Sequence, residues 1–265
     1  MKTIFITGST DGIGKLTAIQ LAKDGQHLLL HGRNSEKLQK TVAEIKALSD
    51  NESISGFVSD LSDFGSIKKV TTALIDQISK IDVLINNAGV FKSSVHPIQK
   101  GLDLRFAVNF FAPYLLTHEL IPILKKSSSP RVINVSSAAQ SSVSLAALKG
   151  DETLSAQETY AQSKLALTMW SFHLAQTLDF LNVIAVNPGS LLNTKMVQEA
   201  YGQFWSSADK GAEILYDLAI SDQYSKSSGK YFDNDTGDFS EAHKDAYNQN
   251  MIARLIAETD KILGL

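Results

Sequence analysis

The sequence predicts one doubly wound α/β domain that spans all 265 residues. Short apolar segments alternate with longer amphipathic segments from end to end, and a glycine-rich turn follows the first apolar segment. These short segments lack the period-two pattern of half-exposed strands, which indicates strands buried on both faces of a parallel sheet. We therefore expect a single sheet of about seven strands with helices on both of its faces.

The predicted elements follow one another without a linker or an internal repeat. Strands are expected at 4–7, 27–31, 54–59, 82–86, 131–136, 183–187 and 229–232, the last as an edge strand. Helices are expected at 12–23, 63–79, 101–125, 156–179 and 241–263. A further helix is expected after the second strand and up to residue 48, and residues 221–229 are expected to form a loop. Ligands of such folds bind beyond the carboxyl ends of the strands, so the residues that follow the strands are the candidates for function.

Composition excludes several classes of protein. The chain has no cysteine, which excludes disulfides and thiolate chemistry, and its six histidines lack the spacing of metal ligands. A net charge of −3 means that the chain has no excess of basic residues with which to bind nucleic acid. No apolar N-terminal stretch approaches a signal peptide or a membrane span. We expect a cytoplasmic protein with no metal and with neither nucleic acid nor membrane as a partner.

The glycine-rich turn TGSTDGIG (7–14) follows the first strand and opens a helix. A tight turn, a close approach of backbone to a pyrophosphate and close helix–sheet packing each require a glycine, and the helix N-terminus attracts anions. Its G-x-x-x-G-x-G spacing leaves a turn without a ligand as the alternative. Lys15 either adds positive charge near the phosphates or is solvated. The predicted phosphate-binding residues are Gly8, Ser9, Thr10, Asp11, Gly12, Ile13 and Gly14.

The end of the second strand indicates which dinucleotide binds. Dinucleotide sites usually place an acid there to hold the ribose 2′-hydroxyl, whereas this chain has His31, Gly32, Arg33 and Asn34. The Arg33 guanidinium is suited to bind a 2′-phosphate, and a solvated surface arginine is the alternative. The sequence therefore favours NADP(H) over NAD(H).

The third and fourth strands also end in residues suited to a nucleotide. Asp60, followed by Leu61, is suited to accept a hydrogen bond from an adenine amino group. Asn87, Ala88 and Gly89 leave room for a ribose. Taken separately, these residues are typical of a helix entry and of a turn. In this order, at successive strand ends, they are predicted to line one groove.

Tyr160 and Lys164 are four residues apart and therefore share one face of the helix predicted at 156–179. A neighbouring ammonium favours the phenolate form of a tyrosine, which makes it a better acid–base group. Lowering the tyrosine pKa by about three units requires ~4 kcal/mol, so the positive charge of an oxidised nicotinamide is expected to contribute. Ser136 and Ser137 end the fifth strand nearby.

Six motifs together resemble the short-chain dehydrogenase/reductase family over the first 195 residues or so: TGSTDGIG, Asp60-Leu61, NNAG (86–89), INVSS (133–137), YAQSK (160–164) and NPG (187–189). QSKLAL, GRNSEK and the long gap before the tyrosine are similar to the retinol-dehydrogenase-like branch. The resemblance implies a Rossmann fold, NADP(H) more often than NAD(H), and an apolar carbonyl or alcohol substrate. It also implies a homodimer or homotetramer that is formed through the two long central helices.

The family resemblance implies a role for each residue of the site. Tyr160 corresponds to the general acid and base, and Ser137 to the donor that polarises the substrate oxygen, while Ser136 is structural. Lys164 corresponds to the residue that holds the nicotinamide ribose and lowers the tyrosine pKa. Asn109 corresponds to the anchor of a proton-relaying water, with a side chain bonded only to its own backbone as the alternative. Further nicotinamide contacts are implied for Pro188, Gly189 and Thr194.

The substrate side of the site is less well defined by sequence. From Ser137 to Tyr160 there are 23 positions, so the segment 141–155 is expected to form an excursion near the substrate. The chain shows no N-terminal anchor of the kind found in many retinol-processing relatives, so a retinoid substrate is not inferred from the branch. The segment after Thr194 is either an apolar lid or a packed surface helix. Residues expected to approach substrate are Phe91, His96, Gln140, Met196, Tyr201, Phe204 and Trp205.

These observations predict an NADP(H)-dependent oxidoreductase that moves a hydride between nicotinamide and a carbonyl or alcohol carbon, with Tyr160 moving the proton. A non-catalytic NADP(H)-binding redox sensor is the main alternative, although a sensor does not need the tyrosine. A nucleotide-sugar epimerase or dehydratase also uses Y-x-x-x-K. Such an enzyme usually has a longer chain and a different glycine spacing.

Overall fold

A computed structural model describes residues 1–92 and 101–265 of the protein. Eight strands form one sheet in the order β3-β2-β1-β4-β5-β6-β7-β8. Neighbouring strands are parallel except β7 and β8, which pair antiparallel. The strands are β1 Thr3–Ile6, β2 His27–Gly32, β3 Ile54–Val58, β4 Val83–Asn86, β5 Arg131–Val135, β6 Asn182–Asn187, β7 Lys230–Asp233 and β8 Asp238–Ser240.

Helices cover both faces of this sheet, so the predicted doubly wound Rossmann fold is confirmed. On one face the core packs against α3, α5, α7 and α10, and on the other against α1, α2 and α9. The helices are α1 Gly12–Lys23, α2 Ser35–Ser49, α3 Phe64–Gln77, α4 Leu104–Phe106, α5 Ala112–Leu124, α6 Leu145–Lys149, α7 Ala156–Thr177, α8 Lys195–Tyr201, α9 Ala208–Ile220 and α10 Gln249–Leu263.

Side-chain caps fix where the helices around the site begin. Asp11, Asn34 and Asp63 accept hydrogen bonds from the first free backbone N–H groups of α1, α2 and α3. Ser155 and Glu158 form a reciprocal capping box at the start of α7. Each cap follows a strand end or loop at the same edge of the sheet, so capping also fixes the orientation of the helices that border the site.

The structure corrects three details of the predicted elements. The strand predicted at 229–232 is not at the edge, because the residues after it turn back and add β8. The long helix predicted at 101–125 contains a π-helical segment, Ala107–Phe111, between α4 and α5. The last helix begins at Gln249 and not at 241, because Asn248 caps it after a separate 3₁₀ turn.

The helical segment Leu104–Leu124 is long and apolar enough to cross a membrane by length and composition. Within the described residues, 78% of its most apolar window is buried inside the molecule. Phe106, Phe110 and Leu115 are fully buried in the core that this helix forms with the sheet. This helix is therefore a core element of the fold.

The apolar faces of α5 and α7 are the predicted contact between subunits. In the single chain, α10 and the 3₁₀ turn before it cover these helices: Tyr114 of α5 donates a hydrogen bond of 2.5 Å to Asp260 of α10, and the ring of Tyr247, in the turn, lies 5.4 Å from that of Phe172 of α7. Ile252 and Leu255 of α10 are each 1% exposed. The homodimer or homotetramer stays a prediction, and a dimer through this face would have to include α10.

Candidate active site

The glycine-rich turn is held against the end of β4 by a compact set of hydrogen bonds. Gly8 has a φ of 65°, and a Cβ there would lie 2.9 Å from the Ala88 Cα. The Thr7 hydroxyl accepts from the backbone N–H groups of Asn87 and Ala88, and the Asn87 amide donates to the carbonyls of Thr7 and Gly8. The Asn87 side chain therefore shapes the turn itself.

Gly14 is required by the same contact. A Cβ at this position would lie 2.6 Å from the Gly8 carbonyl oxygen and closer still to the Asn87 amide nitrogen. We expect Gly14→Ala to weaken dinucleotide binding and to lower the free energy of unfolding by ~1–3 kcal/mol, because the turn and the helix start are forced apart. Gly65→Ala in α3 is the control, since its nearest neighbour is a side-chain oxygen 3.2 Å away. Equal dinucleotide affinity and stability in the two variants would contradict this.

His31 lies beneath the turn, a role that the sequence did not indicate. Its Nδ1 accepts from the Gly8 N–H at 3.1 Å, so its Nε2 carries the proton and donates to the Ser59 carbonyl at 3.0 Å. Burial lowers the pKa of His31 to about 4, which keeps the ring neutral and this bonding pattern intact at neutral pH. The sequence feature that could have indicated this role is a polar residue at the carboxyl end of an otherwise apolar strand.

Ser9 and Leu61, both predicted cofactor contacts, direct their side chains into the molecule. The Ser9 hydroxyl bonds the backbone of His31 in both directions and is fully buried. Leu61 is 6% exposed and belongs to the hydrophobic core. At these two positions only the backbone is available to a ligand.

A basic pocket of about 520 Å³ opens at the end of β2. Lys37 pairs with Asp11 at 2.7 Å, and that hydrogen bond lowers the pKa of the Asp11 carboxyl. Three cationic side chains and one carboxylate line the pocket, an arrangement suited to a dianionic phosphate. Lys15 instead pairs with Glu44 at 2.7 Å. The lining residues are Thr10, Arg33, Asn34, Glu36, Lys37 and Lys40.

Asp60 lies beyond β3 on the same side as this basic pocket. One of its carboxylate oxygens accepts from the backbone and hydroxyl of Ser62, at 2.8 Å and 2.7 Å. The helix-entry role belongs to Asp63, which caps α3. The place of Asp60 beside an adenine stays a prediction.

Tyr160 and Lys164 lie on one face of α7, as predicted. The Lys164 ammonium lies 5.6 Å from the centre of the Tyr160 ring and donates to the Val135 carbonyl at 2.7 Å. Burial lowers the pKa of Lys164 to about 8. The Phe91 ring packs against Tyr160 with 4.9 Å between the ring centres. The helix thus brings a phenol, and an ammonium whose pKa is lowered, to one side of a pocket.

Asn109 lies in the π-helical segment and bonds a different part of the chain. Its Oδ1 accepts from the Val90 N–H at 2.8 Å, and its Nδ2 donates to the Val90 carbonyl and the Ser163 hydroxyl, each at 3.0 Å. The alternative of an amide bonded only to its own backbone is therefore wrong. A Cβ added to Gly89 would lie 3.4 Å from Asn109 Oδ1 and 3.6 Å from Lys164 Nζ, so these groups are adjacent. π-helical turns are frequent at functional sites.

The two serines that end β5 have different surroundings. Ser136 is buried and bonds the Lys164 carbonyl and the Thr168 hydroxyl, which agrees with its predicted structural role. The Ser137 hydroxyl accepts from the Ala139 N–H at 3.1 Å, which leaves its own proton to donate elsewhere. Its carbonyl accepts from Tyr231 at 3.0 Å and from Gln140 at 2.9 Å. Tyr231 is a further site residue that the sequence did not indicate.

A second pocket, of about 160 Å³, lies between Tyr160 and the loop after β6. Met196 lines it, whereas Phe204 and Trp205, which are 50% and 72% exposed, are not among its lining residues. His96 lies outside the described residues, and Tyr201 ends α8. The lining residues are Phe91, Ser137, Ala138, Ala139, Tyr160, Gly189, Ser190, Leu191, Met196, Val197 and Ala200.

Three further residues that were predicted to bind the cofactor contact the elements around the two pockets. Pro188 is held through its carbonyl by the Asn234 amide at 2.9 Å. Thr194 caps α8 through Val197, and its methyl group would lie 3.6 Å from a Cβ at Gly12. Ile13 packs against Gly211 of α9. The loop from Pro188 to Thr194 therefore runs from the second pocket to the glycine-rich turn.

Lys164 makes the stability of the protein depend on pH. Because its pKa is lowered from 10.5 to about 8, the unfolded chain binds more protons than the folded chain between those values, and stability rises with pH there. Relative to Lys164→Met, wild type should gain ~2 kcal/mol of unfolding free energy between about pH 7 and about pH 9.5. Urea unfolding of both proteins at both pH values checks this, and a constant or falling difference would contradict it.

Comparisons with known proteins agree with this geometry. The model of the short chain dehydrogenase family matches residues 2–203. Retinol dehydrogenase 13 of Homo sapiens is 30% identical over all of this chain and 85% of its own, and retinol dehydrogenase 12 of Mus musculus is 32% identical over 87% and 77%. A short chain dehydrogenase from Shigella flexneri, solved in complex with NADP, has a TM-score of 0.71 and 26% identity over 88% and 97%.

The chain belongs to the short-chain dehydrogenase family. Within that family it falls in the retinol-dehydrogenase-like branch, as the sequence predicted. It is an oxidoreductase that acts on CH–OH or carbonyl groups with a nicotinamide nucleotide.

Proposed function

We propose that the protein is an NADP(H)-dependent oxidoreductase in which Tyr160 is the general acid and base for an uncharged carbonyl or alcohol substrate. The observation that supports this most strongly is that two pockets of different character border the glycine-rich turn. One is the basic pocket with Arg33, which Thr10 of the turn also lines, and the other is the apolar pocket with Tyr160 and Ser137. The loop that lines the apolar pocket continues to Thr194, which lies beside Gly12 of the same turn.

The described residues fit a phosphorylated dinucleotide. Arg33 and Lys37 would hold a 2′-phosphate, and the N–H groups at the start of α1 would hold the pyrophosphate. Lys164 would bind the ribose hydroxyls nearest to Tyr160. When bound, the nicotinamide supplies or accepts the hydride, and the protein supplies orientation and electrostatics.

The proton chemistry belongs to the chain itself. During reduction Ser137 donates a hydrogen bond to the substrate oxygen and Tyr160 delivers a proton to it; during oxidation Tyr160 removes that proton. The charged Lys164 ammonium favours the phenolate that results. Asn109, which bonds Ser163 one residue before Lys164, would hold a water that returns the proton from solvent.

The pocket favours an uncharged substrate. Among the lining residues that the structure describes, none carries a charged side chain, and Phe91, Leu191, Met196 and Val197 form apolar surface. A charged substrate group placed there would lose its hydration without gaining an oppositely charged partner among these described lining residues. The names of the relatives, retinol dehydrogenases among them, agree with an apolar substrate.

Purified protein with NADPH or NADH and a panel of uncharged aldehydes and ketones tests the proposal. We expect consumption of NADPH that depends on the carbonyl compound and exceeds the rate with NADH. Tight binding of NADPH without turnover on any member of the panel would favour the redox sensor.

A further inference from the structure

The turn between β7 and β8 bonds the loop that forms one wall of the apolar pocket. The Asp235 carboxylate accepts three hydrogen bonds from this loop: from the Ser190 N–H at 2.8 Å, the Ser190 hydroxyl at 2.5 Å and the Asn187 amide at 2.9 Å. Burial acts to raise the pKa of Asp235, but the bonds from Ser190 and Asn187 outweigh it and lower that pKa. The carboxylate is therefore ionised when it holds the loop.

Two neighbouring residues of the turn bond the same loop. Asn234 donates to the Pro188 carbonyl at 2.9 Å, and Asp233 accepts from Asn187 at 2.8 Å. The Asn187 oxygen in turn accepts from the Gly189 N–H at 3.2 Å. The side chains of Asp233, Asn234 and Asp235 thus bond Asn187, which ends β6, and Pro188 and Ser190 of the loop after it.

This loop needs external support because of Leu191. Leu191 has a φ of 46°, a left-handed conformation that is unfavourable for a branched side chain. Strained residues of this kind persist only where the surrounding structure determines them, and they concentrate at functional sites. Leu191 lines the apolar pocket, directly after the residue that Asp235 bonds twice.

The position of the loop defines what it would contact. Hydride transfer requires the reacting atoms to be within about 3.5 Å, so the ring that exchanges hydride must lie beside Tyr160 and Ser137. Gly189, Ser190 and Leu191 line the same pocket. The loop continues to Thr194 beside Gly12 of the phosphate-binding turn. It therefore lies on the side of the site proposed for the nicotinamide, and none of its residues is among those that line the basic pocket.

We propose that Asp235 is a positioning residue that holds the Pro188–Leu191 wall against the nicotinamide half of the cofactor. The inference rests on the proposed nicotinamide-dependent function. Asparagine at this position keeps one acceptor oxygen but turns an N–H donor towards at least one of the three donors, so the wall should relax away from the ring. Binding of the adenosine half, which is proposed for the basic pocket, should not change.

The test compares two ligands on two variants. NADPH carries the nicotinamide, whereas adenosine 2′,5′-bisphosphate carries only the adenosine end. We expect Asp235→Asn to raise the Kd for NADPH by about tenfold and to leave that for adenosine 2′,5′-bisphosphate unchanged. Asp238→Asn is the matched control, because this exposed carboxylate of the same hairpin bonds only the adjacent backbone in the described structure. If Asp235→Asn does not fold, Ser190→Ala removes one of the bonds and is measured in its place.

Each outcome is decisive. Equal weakening of both ligands, or unchanged affinity for both, would overturn the positioning role. Wild-type protein that binds neither ligand would overturn the proposed function and this inference together. Wild-type protein that binds NADPH without reducing any carbonyl leaves the ligand comparison valid, so failure of the two proposals is distinguishable.

Discussion

Replacing Tyr160 with phenylalanine should lower kcat by roughly 10³-fold or more while the Kd for NADPH stays within a few fold of wild type. The substitution removes one oxygen and keeps the ring that packs against Phe91 at 4.9 Å, so the pocket keeps its shape. Without the phenol, no group in the described part of the pocket is placed both to give a proton to the substrate oxygen and to be stabilised by Lys164. Most of the loss should therefore appear in kcat.

The matched control is Tyr247→Phe. Tyr247 is 49% exposed, and its hydroxyl accepts a hydrogen bond from the Ala242 N–H. This variant should keep turnover within a few fold of wild type. Near-normal turnover in Tyr160→Phe would remove Tyr160 from the acid–base role, and weak NADPH binding in it would show a structural defect.

Replacing Arg33 with aspartate should change the ratio of kcat/KM for NADPH to that for NADH by about 10²–10³-fold towards NADH. The substitution removes one cation from the basic pocket and introduces a carboxylate that repels a 2′-phosphate. The same carboxylate is suited to accept a hydrogen bond from a ribose 2′-hydroxyl. Lys37 and Lys40 remain, so NADPH binding should weaken without being abolished.

Arg254→Asp gives the same change of charge at an exposed position of α10 and should leave the cofactor ratio unchanged. An unchanged ratio in Arg33→Asp would mean that another group, with Lys37 as the first candidate, reads the 2′-phosphate. A parallel loss with both nucleotides would indicate that Arg33 supports the fold of the site without reading the phosphate.

Local sequence patterns were sufficient to predict most of the fold and the centre of the site. Strands β1 to β7 lie within a few residues of their predicted positions, because strands buried on both faces give continuous apolar runs. Tyr160 and Lys164 share a helix face because the spacing of four fixes this on any helix. Arg33 lies at the predicted strand end because the end of β2 is clear from the sequence.

Bonds between distant residues could not be predicted. Ser190 and Asp235 are 45 residues apart, and Ser137 and Tyr231 are 94 apart. Nothing in either local segment specifies its partner. The π-helical segment around Asn109 depends in the same way on the Val90 backbone and Ser163, which a helical pattern does not reveal. The short strand β8 forms only because β7 offers it a free edge.

Deuterium transfer from NADPH labelled at nicotinamide C4 tests the central claim most directly. We expect wild-type protein to place the label on the carbonyl carbon of a reduced substrate, and Tyr160→Phe to bind the labelled NADPH but to transfer almost none. Label transfer at an equal rate by Tyr160→Phe would contradict the proposed chemistry. Labelled NADPH that stays bound and unreacted with every carbonyl tested would instead support a sensor.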